Sequence, residues 1–140
     1  MLMNTNQLGK ITELDVLSYV TKKGYSVSIP FGDKERYDQI WDINGKLLRI
    51  QVKTSRPIDE KPSGIIFNCR TTSLRSVGCR TRHYTSDEID YFATIWDGYV
   101  YMVPVNECAD KKKLWFSCKQ AQPTVSFAKN YLFEEVIKNL

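Results

Sequence analysis

The sequence predicts one mixed α/β domain, a main sheet flanked by helices, on three observations. Leu8, Ile11, Leu14, Leu17 and Val20 recur at helical spacing near the start of the chain. Asn44-Gly45 separates the β-prone runs "ERYDQIWDI" and "KLLRIQVK". That dipeptide suits a two-residue hairpin loop, in which both central residues need positive φ. Further apolar runs, "SGIIFNC" and "GYVYMVPV", lie between polar segments and add strands. With 140 residues, 42% of them hydrophobic and 12% aromatic, the chain can bury a core of its own, and residues 1–140 read as a single domain.

The elements follow in order. Asn4 or Thr5 caps the first helix and Gly24 ends it. "YSVSIP" alternates and stops at proline, a short strand, and the Asn44-Gly45 hairpin follows. "SGIIFNC" is the next strand. "RTTSLRSVGCRTRHYT" has no clean period and reads as a polar, basic loop. Ser86 is placed to cap a helix through "DEIDYFAT", with Asp87 and Glu88 in its first turn. "GYVYMVPV" reads as a buried strand, "KKLWFSC" as another, and "AKNYLFEEVIKNL" as a closing amphipathic helix. The apolar face of that helix, Phe133, Val136, Ile137 and Leu140, suits either core packing or self-assembly. The order is α-β-β-β, then α-β, with a C-terminal strand and helix added.

Composition narrows the function. No apolar run approaches the roughly 18 residues of a membrane span. "MLMNTNQLGK" lacks the pattern of a secretory leader, so the expected location is the cytoplasm. Cys69, Cys79, Cys108 and Cys118 lie far apart with no C-x-x-C pair and read as free structural thiols. Cys79 with His83 supplies too few ligands for zinc, so no zinc is expected. The charge is unevenly spread. Residues 44–84 hold nine basic residues against Asp59 and Glu60, whereas the segments before and after are slightly acidic. A concentration of this kind suits a polyanionic partner.

Four side chains converge on paper. With Ile43 paired to Lys46 across the loop, the same register sets Asp38 opposite Gln51. Period-two alternation then puts Asp38, Gln51 and Lys53 on one face, and Tyr37, Trp41, Ile43, Leu48, Ile50 and Val52 on the core face. On the first helix Glu13 stacks with Val16, Leu17 and Val20, aimed at the sheet. A carboxylate there needs a cation or a lysine to offset its charge, unless it reaches water at the edge of the apolar arc.

These residues resemble the PD-(D/E)XK nuclease superfamily. "GKITE" is similar to its helix motif, "RYDQI" to its second-strand motif and "IQVKTSR" to its third-strand motif, with Gln51 in the acidic slot and Lys53 in the lysine slot. "YTSDEIDYFATIWDGYVYMVP" is similar to the helix and strand that follow in resolvase-like branches, and Tyr37 stands where many members have proline. The nearest likeness is to group I intron-encoded homing endonucleases, which share a Q-x-K motif. The resemblance implies a restriction-endonuclease-like α-β-β-β-α-β core across residues 8–105. It also implies hydrolysis of double-stranded DNA with Mg²⁺, Mn²⁺ substituting, and no organic cofactor. Asp38, the Gln51 side-chain oxygen and the Val52 carbonyl would hold the metal. Lys53 would stabilise charge beside the attacking water, and Glu13 would hold a water or a second cation. Arg70, Arg75, Arg80, Arg82 and His83, interleaved with hydroxyls, would contact DNA, as would Arg49 and Arg56 beside the site. Cutting both strands with one site per chain implies a homodimer or higher homo-oligomer. A Holliday-junction resolvase, a restriction-type nuclease and a catalytically inactive nucleic-acid-binding module are the alternatives.

Overall fold

The computed structural model describes residues 3–32, 34–75, 78–117 and 124–140, with residues 72–75 and 78–80 described by their backbone alone. Helix α1 runs Thr5–Lys22 and opens on a capping box, in which the Asn4 side chain accepts the Gln7 N–H and the Gln7 side chain accepts the Asn4 N–H. Its buried face is Thr12, Val16 and Val20, whereas Leu8, Ile11 and Leu14 of the expected stripe are exposed. Polar anchors set this rotation. The Thr12 hydroxyl meets that of Thr54 at 2.9 Å, and the buried Gln39 amide donates to the Glu13 carbonyl at 2.8 Å.

Five strands form the main sheet, in the order β1 (Ser26–Ser28), β2 (Gln39–Ile43), β3 (Lys46–Val52), β8 (Tyr91–Trp96) and β9 (Tyr99–Pro104). The intervening strands are β4 (Arg56–Pro57), β5 (Gly64–Asn68), β6 (Arg70–Arg75) and β7 (Gly78–His83), and β10 (Lys111–Trp115) follows. The β2–β3 hairpin has the expected register from Ile43–Lys46 to Gln39–Ile50, with Asn44 at φ 54° and Gly45 at φ 92°. A second hairpin of the same kind, turning at Asp97 (φ 50°) and Gly98 (φ 80°), joins β8 to β9.

The core fills both faces of this sheet. On one side Val16, Val20, Trp41, Ile50 and Met102 pack with Phe133, whose ring meets Tyr19, Tyr25 and Trp41 edge-on. On the other, Phe92 and Val103 face Ile65, Phe67 and Leu114 of a small sheet ordered β10-β5-β4. Phe133 begins α2 (Phe133–Ile137), a short helix after a 3-10 turn at Ala128–Tyr131, so the long closing helix expected from sequence is a single buried anchor.

Two expectations are corrected. Residues 86–94 do not form a helix; a turn at Ser86–Glu88 leads into β8, which runs parallel to β3. Tyr91, Phe92, Thr94, Ile95 and Trp96 favour a pleated, buried surface, and Asp90, expected inside that helix, is held by Arg49. The connection between the parallel strands is made by β4, β5 and the β6–β7 pair, with no helix among the described residues of that span. The basic loop is likewise an antiparallel ribbon, β6 paired with β7 from Arg70–His83 to Arg75–Gly78. It forms a sheet by itself, and polar residues alternate on it without the apolar period that marks a half-buried strand.

Candidate active site

The site forms where β2 ends and β3 continues. The ladder breaks at Asp38: its N–H goes to the Ile50 carbonyl at 2.7 Å, and its carboxylate accepts the Val52 N–H at 2.9 Å. The side chain thus takes the place of a strand carbonyl, and the β2–β3 pairing ends at Gln39–Ile50, before the Asp38–Gln51 pair expected from the register. Tyr37 is displaced with it and packs against the second core cluster instead of the first. Ile50 and Val52 point their carbonyls the same way along β3, so the Val52 oxygen faces the region just past the end of β2. The Gln51 amide lies alongside, its Nε2 3.5 Å from the Val52 oxygen. A half-turn of that amide exchanges nitrogen for oxygen in the same position.

Asp38 is largely desolvated, and burial pushes its pKa up to about 6. The Val52 N–H opposes the rise and the negative charge of Glu13 adds to it, which places Glu13 within electrostatic reach. Glu13 is half-buried and pairs with Lys10 at 3.7 Å. Its turn of α1 is fixed by the Gln39 amide, whose oxygen also accepts the Trp41 indole N–H at 2.9 Å. Sequence reasoning missed Gln39, since a buried glutamine between two core positions looks like an ordinary strand residue.

Lys53 projects from the third-strand end into a half-buried niche. Its ammonium lies 3.3 Å from the Arg70 carbonyl and 5.2 Å from the centre of the Tyr84 ring. Burial lowers its pKa, Asp38 pulls it back up, and Arg36 pushes it down. Asp38, Gln51, Val52 and Lys53 are therefore brought together, and the charge of Glu13 acts on Asp38.

The basic residues distribute differently. Arg49 is held by Asp90 (Nε 3.2 Å, Nη2 3.1 Å) and by the Ser86 and Asp87 carbonyls, a structural fork beside the turn. Arg56 is exposed on β4. At the base of the ribbon Arg70 and His83 both reach Asp110, at 3.5 and 2.7 Å, and Arg82 reaches Glu88 at 2.8 Å. Arg75 and Arg80 occupy the ribbon strands, and their side chains lie outside the described residues. Cys69 and Cys108 are free thiols; the Cys79 side chain and Cys118 lie outside the described residues.

The donors near Asp38 are oxygens, one carboxylate with a main-chain carbonyl and an amide, which suit a hard cation such as Mg²⁺. Among the described residues no group of three or more His, Cys, Asp or Glu side chains is placed to hold a metal, so this site has few charges. A carboxylate at the start of a hairpin, a Q-x-K strand and a helix glutamate within electrostatic reach of that carboxylate are the features of a nuclease family. The chain belongs to it: the sequence model of the PD-(D/E)XK endonucleases matches residues 3–133. In three dimensions the chain is similar to I-Ssp6803I, described as a bacterial homing endonuclease, with a TM-score of 0.79 and 21% identity over 98% of this chain and 95% of that one. That likeness establishes the restriction-endonuclease-like fold. No curated protein matches the chain.

Proposed function

We propose that the protein is a metal-dependent DNA endonuclease of the homing kind, hydrolysing phosphodiester bonds at a specific double-stranded site. The observation that carries this reading is the Asp38 carboxylate on the Val52 N–H, which brings a carboxylate, the Val52 carbonyl and the Gln51 amide together next to Lys53. Asp38, Gln51 and Val52 would hold Mg²⁺, or Mn²⁺ in its place, and the ion would polarise the scissile phosphate and acidify water. Lys53, whose lowered pKa marks a poorly solvated ammonium, would donate to the charge that develops on the phosphoryl oxygens. Glu13 would hold a water behind Asp38. The ribbon strands carry Arg70, Arg75, Arg80, Arg82 and His83 beside the site, where duplex phosphates could take over the pairing now supplied by Asp110 and Glu88. A two-stranded ribbon also fits the major groove.

The homing assignment leans on the near-complete overlap with a protein described as a homing endonuclease. Products would carry 5′-phosphate and 3′-hydroxyl ends, and two or more copies of the chain would cut the two strands. Nicking of supercoiled plasmid in Mg²⁺ or Mn²⁺, abolished by EDTA and by Asp38→Asn, is the expected result. One specific observation favours a second reading, an inactive DNA-binding module: the acidic slot holds the neutral Gln51. Tight duplex or junction binding without metal-dependent nicking would establish that reading instead.

A further inference from the structure

Arg36 opens the "RYDQI" stretch, two residues before Asp38, and the motif assigns it no role. Its side chain is only 18% exposed, and each guanidinium nitrogen has a partner. Nε meets the Glu88 carboxylate at 2.9 Å, Nη1 donates to the Thr71 hydroxyl at 3.1 Å, and Nη2 donates to the His83 carbonyl at 2.9 Å. The guanidinium carbon sits 3.8 Å from the centre of the Tyr84 ring. This is the ring on which Lys53 also rests, at 5.2 Å. The Thr71 hydroxyl in turn donates to the Tyr84 hydroxyl at 2.8 Å. The Lys53 ammonium is tied at its other side to the Arg70 carbonyl, one residue from Thr71.

One arginine therefore clamps both strands of the ribbon base, the turn before β8, and the aromatic wall of the Lys53 niche. A fold anchor alone would not need this chemistry. Placing a second cation beside Lys53 costs electrostatic energy, and a neutral side chain could fill the same volume. The planar fork does something a neutral residue or a lysine cannot: it fixes three acceptors and one ring in a single plane-and-stack geometry.

We propose that Arg36 is a positioning residue for Lys53: through the Tyr84 ring and the ribbon base it holds the ammonium at the scissile phosphate and makes ribbon and lysine move as one body. The inference rests on the nuclease reading of Lys53. Contact of the ribbon with duplex DNA then bears directly on the Arg70 carbonyl and Tyr84, and so on the lysine they hold.

The test compares wild type, Arg36→Met, Arg36→Lys and Tyr84→Leu. Single-turnover nicking of supercoiled plasmid is measured at saturating enzyme in Mn²⁺, and duplex affinity is measured separately in Ca²⁺. Arg36→Met slows nicking by about thirty- to a hundredfold, the scale of a small misplacement of a catalytic group, while duplex affinity stays within about threefold. Arg36→Lys recovers only part of the rate, because it keeps the charge and loses the fork. Tyr84→Leu leaves the fork in place and removes the shared ring; it gives the same separation of rate from affinity even if Arg36→Met does not fold. Wild-type nicking rates in these variants, or parallel losses of affinity and rate, would overturn the proposal. Hydrogen exchange of residues 69–72 and 82–84 is read without DNA. It accelerates in Arg36→Met, and unchanged exchange would also overturn it. If wild type itself fails to nick, the nuclease reading falls, and the exchange result alone decides whether Arg36 holds this niche.

Discussion

The Asp38 carboxylate accepts the Val52 N–H at 2.9 Å, replacing a strand carbonyl with a titratable group. The bond places an acid just before β2, against the end of β3, and leaves it poorly hydrated, with its pKa raised to about 6 by burial and then by Glu13. In metal-free protein the folded state therefore holds a proton that the unfolded chain has already lost between about pH 4 and pH 6. Stability contributed by this group is greatest at the acid end of that window and is lost as pH rises through about 6. Asp38→Asn keeps an acceptor for Val52 and removes the titration. Thermal melts in EDTA should show the variant more stable than wild type at pH 7, with the gap closing toward pH 4; a variant less stable at pH 7 would contradict this.

Gln51 leaves the proposed metal site one negative charge poorer than a glutamate would. Gln51→Glu should tighten Mg²⁺ binding by about tenfold, on the order of 1.4 kcal/mol, measured by titration calorimetry without DNA. Unchanged affinity would mean that position 51 does not face the metal.

Asp90 accepts three bonds from Arg49: the backbone N–H at 2.8 Å, Nε at 3.2 Å and Nη2 at 3.1 Å. Desolvation alone would raise its pKa, but the Arg49 bonds outweigh it and lower the value. The stability it contributes is present above the ordinary carboxylate pKa and is lost as pH falls below it, the reverse of Asp38. Asp90→Ala should cost about 2 kcal/mol in urea unfolding at pH 7, leaving Arg49 without its carboxylate partner.

Much of this was legible in the sequence, for reasons that differ from residue to residue. Asn44-Gly45 specified a turn, and the turn specified the register as far as Gln39–Ile50. The last step to Asp38 failed because a side chain entered the ladder, which pairing arithmetic cannot foresee. The helix expected at Ser86 had sound capping chemistry, but the aromatic and β-branched run through Trp96 gained more by pairing with β3. Asp97-Gly98 was as good a hairpin signal as Asn44-Gly45, and reading it would have turned that helix into a strand. The leucine stripe of α1 misled because Thr12 and Gln39, both polar, decide which face of the helix is buried. Arg36, Tyr84 and Glu88 lie in the stretches that resemble family segments but carried no expected role at the site; only the fold brings them together around Lys53.

Lys53 carries the central catalytic role in the proposed mechanism. It sits beside Asp38 without a direct ion pair among the described residues, held instead by the Arg70 carbonyl and the Tyr84 ring. The most direct measurement is metal-dependent single-turnover cleavage by Lys53→Ala at saturating enzyme, alongside its Mg²⁺ affinity. The expected result is a loss of about a hundredfold or more in rate with metal affinity little changed. Cleavage at the wild-type rate under the same metal conditions would contradict it.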